Sequence, residues 1–235
     1  MPANYDVYSA DKVVDKIYRH TGFSNTIESS IASPNISPWG VTWDGSSLLS
    51  SDWGSGKHYK HRGFTATIST SYTTTGTKEV GITWDGANVI GSAFTSEKLY
   101  KHTGFSTTIS ACFASADIQP TGVSWNGTQT LSANNNADKI YRLTGFTTSV
   151  ESSIASPSTA PQGIEWVEWA SDYLLSSDYG QQKHYQNTGF TTAINASYTT
   201  ANVEPNGISS PSRYPLLPKS SWLAHNTRLR HRIRR

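Results

Sequence analysis

Three histidines recur at a fixed spacing and are the first residues that could do chemistry. His20, His61 and His102 lie 41 residues apart. The series then breaks, because Leu143 and Asn187 take the next two positions. Imidazole binds metal ions and transfers protons near neutral pH, so a metal site or a catalytic dyad is one interpretation. Repeated positions stay far apart unless they face a common axis, and we expect these histidines to be exposed or packed against turns.

A second set of residues pairs a polar side chain with a variable neighbour. Three aspartates and one asparagine each follow a short apolar run, and Ala93 takes the remaining position. The polar side chain either caps a turn or helps to form a small-ligand pocket in each repeat. In such a pocket Trp53 or Tyr179 would stack on a sugar ring while the aspartate accepts hydrogen bonds from hydroxyl groups. The predicted ligand-binding residues are Asp11, Asp52, Trp53, Asn134, Asn135, Asp178 and Tyr179.

Tryptophan occurs in two different contexts. One tryptophan recurs in a Gly-[Val/Ile]-x-Trp motif, at Trp43, Trp84, Trp125 and Trp166, and is best explained as core packing. Trp39 has no copy, since Val80, Thr121, Gln162 and Asn206 stand at its position in the other repeats. A unique aromatic residue in a regular array suggests contact with a ligand, so Trp39 joins the predicted binding residues.

Sequence signatures of catalysis and of cofactor binding are missing. The chain has no Gly-x-Ser-x-Gly elbow and no phosphate-binding glycine-rich loop. Its single cysteine, Cys112, excludes an internal disulfide and a cysteine-based zinc site. We therefore predict no catalytic residue, no metal and no cofactor, and a chain that is not an enzyme.

All of these residues lie in an internal repeat. Gly-Phe pairs occur at 22, 63, 104, 145 and 189, so the period is 41 residues and then 44. The Gly-[Val/Ile]-x-Trp motif and a Lys-x-Tyr motif follow the same period. Each unit contains four short runs rich in β-branched and aromatic residues, separated by Gly, Asn, Asp and Ser, which is typical of four β-strands. Asp-Gly or Asn-Gly pairs at 44, 85 and 126 predict two-residue hairpins.

A period near 40 with four strands predicts an all-β propeller. The chain begins in the middle of a unit, and Gly207-Ile208-Ser209 supplies the strand that the first unit lacks. We therefore predict five blades, closed circularly by the strand near Gly207. The segment from Glu28 to Pro34 is repeated identically from Glu151 to Pro157, three periods later. A six-bladed parent built from two blocks of three is the alternative.

The pattern ends abruptly at Ser209. Residues 1–210 contain 12 basic and 17 acidic residues, a net charge of −5, whereas residues 211–235 contain 7 basic residues and no acidic one. We predict a propeller domain over residues 1–209 and a disordered basic tail over residues 210–235. An acidic body argues against specific nucleic-acid binding. No apolar run is long enough to span a membrane and no signal peptide is evident, so we expect a soluble chain.

The unit Pro-x-Gly-[Ile/Val]-x-Trp-[Asp/Asn]-Gly followed by Lys-x-Tyr resembles the NHL-type propeller repeat and its YWTD-like relatives, over residues 5–209. The resemblance implies a propeller fold, in a family with protein-binding, RNA-binding and enzymatic members. Glu79 replaces the proline in one unit, and tryptophan stands where that family usually has a smaller apolar residue.

These observations favour a non-catalytic binding scaffold, because no catalytic constellation breaks the symmetry of the repeats. Carbohydrate is the first predicted ligand class, bound in a lectin-like manner through repeated loop pockets. A protein-interaction platform is the alternative. A hydrolase or lyase is the third interpretation, and it would need acidic residues at the axis, where the sequence places only Glu79 and Glu204. We expect a monomer if the ring closes and a homo-oligomer otherwise.

Overall fold

The computed structural model describes residues 5–74, 78–168, 171–200 and 204–211. In these ranges the chain forms twenty β-strands and no α-helix. They are β1 (Val7–Asp11), β2 (Lys16–His20), β3 (Ile27–Ala32), β4 (Pro38–Trp43), β5 (Leu48–Asp52), β6 (Lys57–His61), β7 (Ile68–Thr73), β8 (Glu79–Trp84), β9 (Val89–Ala93), β10 (Lys98–His102), β11 (Ile109–Ala114), β12 (Pro120–Trp125), β13 (Thr130–Asn134), β14 (Lys139–Leu143), β15 (Val150–Ala155), β16 (Pro161–Glu168), β17 (Asp172–Asp178), β18 (Lys183–Thr188), β19 (Ile194–Thr199) and β20 (Pro205–Ser209). Of the predicted basic tail, residues 212–235 lie outside the described ranges. No described segment forms a helix that is long and apolar enough to cross a membrane.

The strands form five antiparallel four-stranded sheets, numbered here as blades 1 to 5. Their strand orders are β20-β1-β2-β3, β4-β5-β6-β7, β8-β9-β10-β11, β12-β13-β14-β15 and β16-β17-β18-β19. The first strand of each order is the inner strand, and each inner strand contacts the next one around the ring. Ile208 on β20 pairs with Ser9 on β1, so the C-terminal strand completes the first blade. The predicted five-bladed propeller and its circular closure are confirmed.

Glycine on each inner strand lets the blades approach closely. A β-carbon at Gly40 would lie 2.6 Å from the carbonyl oxygen of Val80 on the next inner strand, which is closer than carbon and oxygen can come. Ser51 on β5 donates its hydroxyl to the same carbonyl, so a hydrogen bond ties the two blades together. The glycine of the repeated Gly-[Val/Ile] motif is therefore a packing requirement of a tight ring.

Aromatic side chains fill the space between neighbouring blades. Trp43 on β4 stacks on Tyr8 of blade 1 with ring centroids 5.5 Å apart. Trp166 of blade 5 packs with Leu131 and Ile140 of blade 4. Burial of such a ring removes up to roughly 250 Å² from water, and the predicted packing role of the repeated tryptophans is confirmed.

The Asp-Gly turns are longer than the sequence predicts. β4 ends at Trp43 and β5 begins at Leu48, so four residues connect them instead of two. Asp44 Oδ1 accepts hydrogen bonds from the N–H groups of Ser46 at 2.9 Å and Ser47 at 2.8 Å, and Gly45 has a φ of 100°. The aspartate side chain thus caps a wider turn, which the two-residue prediction missed.

Candidate functional site

One end of the propeller, called the loop face here, contains most of the predicted binding residues. It is formed by the connections after the second strand of each blade and the connections that lead into the inner strands. The two kinds of connection are joined by backbone hydrogen bonds, such as Trp53 N–H to the Ser37 carbonyl at 3.1 Å and Tyr179 N–H to the Ala160 carbonyl at 3.2 Å. The loop face is therefore a continuous surface around the axis.

The polar residues that end the second strands are buried in their own turns. Asp52 is 1% exposed, and its Oδ1 accepts hydrogen bonds from the N–H and the hydroxyl of Ser55, both at 2.7 Å. Asp178 Oδ1 accepts one from Gln181 N–H at 2.8 Å, and Asp11 Oδ1 accepts one from Val13 N–H at 2.9 Å. The structure thus places these carboxylates as turn caps rather than on the surface.

Burial also changes the ionisation of these carboxylates. Desolvation raises the pKa of Asp11, Asp52 and Asp178, although the hydrogen bonds from the turn act in the opposite direction.

In blade 4 the equivalent Asn134 donates its side-chain N–H to the Asp117 carbonyl at 2.7 Å. Asn135, the next residue, donates its backbone N–H to the Gln119 carbonyl at 3.1 Å. The polar half of each predicted pocket therefore holds the loops in place.

The aromatic half of the predicted site comes together near the axis. The ring centroids of Trp39 and Trp53 lie 5.5 Å apart, and Phe94 meets Trp53 edge-on at 5.8 Å. Lys12 holds its ammonium group 5.2 Å from the ring centroids of both Trp39 and Tyr179. We call Trp39, Trp53, Phe94 and Tyr179 the axial aromatic cluster. It takes residues from blades 2, 3 and 5.

Two lysines and one carboxylate complete this site. Lys12 Nζ lies 2.8 Å from Glu204 Oε2, and burial lowers the pKa of Lys12 while the Asp11 carboxylate acts in the opposite direction. Lys78 Nζ lies 4.8 Å from the ring centroid of Trp53. An ammonium group over an aromatic face is attracted by the ring quadrupole. The site therefore combines three half-buried rings and the exposed Tyr179 with two ammonium groups that already lie over these rings.

Unpaired polar atoms lie at the inner edge of the site. Trp39, Gln162 and Asn206 occupy the same register position on three neighbouring inner strands, β4, β16 and β20. Trp39 Nε1, Gln162 Oε1 and both side-chain polar atoms of Asn206 are buried without a hydrogen-bond partner. A buried polar group without a partner costs about 1–3 kcal/mol, so these buried atoms favour an ordered water molecule at this position.

The axis itself is narrow. The cavity on it has a volume of about 10 Å³, room for about one water molecule, and is lined by Trp39, the inner-strand glycines and the Val or Ile residues that follow them. Such a volume is smaller than that of a typical drug-sized ligand site. A ligand would therefore sit at the mouth of the axis rather than pass through the ring.

The loop face also exposes aliphatic side chains. Ile36 is 63% exposed, Val13 51% and Ile118 42%, and all three lie in the connections of this face. Tyr179 is 42% exposed beside them. Such a group of exposed apolar residues on one face of a folded domain favours a binding surface.

The repeated histidines are buried, so their predicted exposure is wrong, whereas the predicted packing against a turn is confirmed for His61, whose Nδ1 lies 2.8 Å from the Thr65 carbonyl oxygen. His61 and His102 are fully buried and His20 is 3% exposed. His20 Nε2 lies 2.8 Å from Ser9 Oγ, and His61 Nε2 lies 2.9 Å from Ser50 Oγ. These hydrogen bonds join the second and third strands of a blade. The sequence missed this because it gives spacing without the direction of the side chain.

Acidic residues do not converge at the axis as a catalytic site would need. Glu79 is fully buried, with its carboxylate 2.9 Å from His102 Nε2 and 3.7 Å from His58 Nε2. It lies between blades 2 and 3, whereas Glu204 is paired to Lys12 on the loop face. Among the described residues no group of three or more His, Cys, Asp or Glu side chains could hold a metal ion.

Sequence reasoning missed four residues of the site. Lys12 and Phe94 occupy the same repeat position as Trp53, and Gln162 and Asn206 occupy that of Trp39. The signal that could have found them is variability at two positions of an otherwise regular repeat.

Comparison with known proteins supports the fold and does not extend to a family. No family model matches the sequence, and no curated protein matches it. The glutaminyl cyclase of Myxococcus xanthus is a structural neighbour at 10% identity and a TM-score of 0.59, covering 75% of this chain and 71% of that one. A chain of a mitotic checkpoint complex is another at 12% identity and a TM-score of 0.52, covering 85% of this chain and 64% of that one. At these identities the likeness shows the propeller fold alone.

Proposed function

We propose that this chain is a non-catalytic binding protein that takes a carbohydrate ligand at the axial aromatic cluster of its loop face. Its resemblance to NHL-type and YWTD-like repeats stays a prediction, because a fold match does not separate propeller families. The observation that carries the proposal is the contact between Trp39 and Trp53, whose ring centroids lie 5.5 Å apart at the mouth of the axis.

Aromatic rings bind the apolar face of a sugar, and nearby polar atoms bind its hydroxyl groups. The cluster offers both, since the Lys12 ammonium group and the Glu204 carboxylate lie beside the rings. The aspartates support the loops instead of contacting the ligand. We therefore expect one asymmetric site per molecule in place of five equal pockets.

A glycan array probed with the full chain tests this function. We expect selective binding that Trp53→Ala weakens about tenfold, because stacking contributes roughly 0.5–1.5 kcal/mol beyond burial. Ile194→Ala is the matched control, since Ile194 is 49% exposed on the outer strand β19. If the folded protein binds no glycan on the array, the proposal is contradicted. Equal loss of glycan binding in Trp53→Ala and Ile194→Ala also contradicts it.

A protein partner is the second candidate, and the exposed Ile36, Val13 and Ile118 favour it. A stable protein interface buries about 1,200–2,000 Å², for which the whole loop face would be needed. Ile36→Asp would then abolish association with the partner and leave glycan binding unchanged. If Ile36→Asp leaves association with the partner unchanged, the protein-binding function is contradicted.

An enzymatic function is the third candidate and has the least support. The Myxococcus xanthus neighbour is a glutaminyl cyclase by name, but at 10% identity it brings no residue role to this chain. Glu79 is fully buried beside His102, and Glu204 is paired to Lys12, so neither acidic residue is available to a substrate at the axis.

A further inference from the structure

The ammonium group of Lys12 lies in a cage made by three blades. Its Nζ is 5.2 Å from the ring centroid of Trp39 in blade 2 and 5.2 Å from that of Tyr179 in blade 5. Glu204, which precedes β20 of blade 1, places Oε2 2.8 Å from the same nitrogen. Two aromatic faces and one carboxylate thus surround a single cation.

Each wall of this cage has its own support. Trp39 packs against Trp53, and Tyr179 is held by the hydrogen bond from its N–H to the Ala160 carbonyl at 3.2 Å. Glu204 directly precedes Pro205, the first residue of the ring-closing strand. Because none of these contacts involves Lys12, the walls should stay in place when the Lys12 side chain moves away.

We propose that this cage binds the ammonium group of a ligand, which takes the place of Lys12. Aromatic rings that enclose a positive charge bind organic ammonium ions, and Lys12 shows that the cage accepts one. This inference rests on the proposed carbohydrate function, so the ligand is an amino sugar with a free amine. Its ring would lie over the neighbouring Trp53, and its amine would enter the cage.

The tethered lysine competes with the ligand. A side chain attached close to its own site has an effective concentration in the millimolar range or above. Affinity for an amino sugar is therefore weak in the native chain, and removing Lys12 should raise it about tenfold, the gain that cation–π energies allow. Lys12→Met is the second variant, because it keeps the apolar stem of the side chain and removes the charge.

The test measures binding of three probes by NMR titration to the full chain and to the variants Lys12→Ala and Lys12→Met. The probes are tetramethylammonium, a glucosamine oligomer and the N-acetylglucosamine oligomer of equal length. The matched control is Lys60→Ala, which removes a lysine that is paired to the Asp44 carboxylate at 2.7 Å, on the turn between β4 and β5 and away from the loop face. Circular dichroism confirms that each variant is folded.

We expect both Lys12 variants to bind tetramethylammonium and the glucosamine oligomer about tenfold more tightly than the native chain, with no such gain for Lys60→Ala. Adding Tyr179→Leu to Lys12→Ala should remove the gain. If Lys12→Ala and the native chain bind tetramethylammonium with equal affinity, the proposal that the cage binds a ligand's ammonium group in place of Lys12 is overturned. Equal affinity for the acetylated and free oligomers overturns the amino-sugar assignment and leaves the carbohydrate function. Binding of tetramethylammonium without any oligosaccharide overturns the carbohydrate function and leaves the cage.

Discussion

At the residue scale, the turns of the loop face bind one carboxylate oxygen, Oδ1, of Asp52 and of Asp178, while Oδ2 of each is buried without a hydrogen-bond partner. Asp52 has a carboxylate next to a tryptophan, the pairing that sugar sites use, yet its Oδ1 is bound by Ser55. Its neighbour Trp53 stays half-buried and contacts Trp39 and Phe94. The first residue of each pair therefore stabilises the loop. The second residue is not needed for the turn, so its type can differ among the blades and can suit a ligand.

This division predicts the result of removing the Asp52 carboxylate. Asp52→Ala should lower the free energy of unfolding by about 1–2 kcal/mol, because two donors of Ser55 lose a buried acceptor. Oligosaccharide affinity should change less than twofold. Urea denaturation measures the first quantity and a binding titration the second. Ser55→Ala, which removes only the hydroxyl, should cost less, and a variant that loses affinity while keeping its stability would assign Asp52 to the ligand.

At the scale of the elements, blade 3 departs from the repeat at two coupled positions. In blade 2 a serine hydroxyl binds the histidine, with Ser50 Oγ 2.9 Å from His61 Nε2. In blade 3 Gly91 replaces that serine, and the Glu79 carboxylate contacts His102 instead. A β-carbon at Gly91 would collide with this carboxylate. The glycine is therefore needed only because Glu79 is present.

The coupling predicts a strongly non-additive double variant. Gly91→Ser alone should destabilise the chain by about 1–3 kcal/mol through overpacking. Glu79→Pro alone should also destabilise it, because His102 Nε2 loses its buried partner. The double variant restores the residues of blade 2 and should be at least as stable as the native chain, since the introduced serine hydroxyl can contact His102 as Ser50 contacts His61. Urea denaturation of all four proteins checks this, and additive costs would contradict it.

At the scale of the whole molecule, the sequence predicted the fold well and the site only in part. Five copies of one unit fix the blade, its strands and the closure by Gly207-Ile208-Ser209, because a repeat is visible along a single chain. The cage joins Lys12, Trp39 and Tyr179 from three blades, and sequence spacing does not give the direction of their side chains. The buried histidines were missed for the same reason.

These histidines predict how stability depends on pH. Burial lowers the pKa of His20 and His58 to about 4 and that of His184 to about 3. The histidines of the unfolded chain bind protons below about pH 6.5. The buried neutral histidines therefore do not reduce the free energy of unfolding above that pH, and this free energy falls as the pH drops toward 4. The raised pKa values of Asp11, Asp52 and Asp178 act in the opposite direction at the acid end.

A matched variant isolates the histidine contribution. The free energy of unfolding should fall less steeply with decreasing pH in His184→Ile than in the native chain. The difference in slope is up to about 1.4 kcal/mol for each pH unit between 6.5 and 4. Isoleucine occurs at this position in blades 1 and 4, as Ile17 and Ile140, so the variant should fold. Urea denaturation at several pH values measures the slope, and an unchanged slope in His184→Ile would show that His184 is protonated in the folded chain.

Ring closure predicts which C-terminal residues the propeller needs. A chain that ends at Glu204 lacks β20, so β1 loses its inner partner and Ile208 leaves its cluster with Val7, Val167 and Leu175. Removal of a buried isoleucine side chain alone costs about 2–5 kcal/mol, and the exposed edge of β1 can pair with another chain. We therefore expect a destabilised protein that dimerises or aggregates.

The control is a chain that ends at Pro211, which keeps every described strand. It should match the full chain in thermal stability and remain a monomer, as measured by size exclusion with light scattering. If the chain ending at Glu204 were equally monomeric and stable, β1 and β16 would have to close the ring without β20. A β-carbon at Gly163 on β16 would lie 2.5 Å from the Asn206 carbonyl oxygen of β20, so this glycine is needed for contact with β20, and such a closure would leave it without that neighbour.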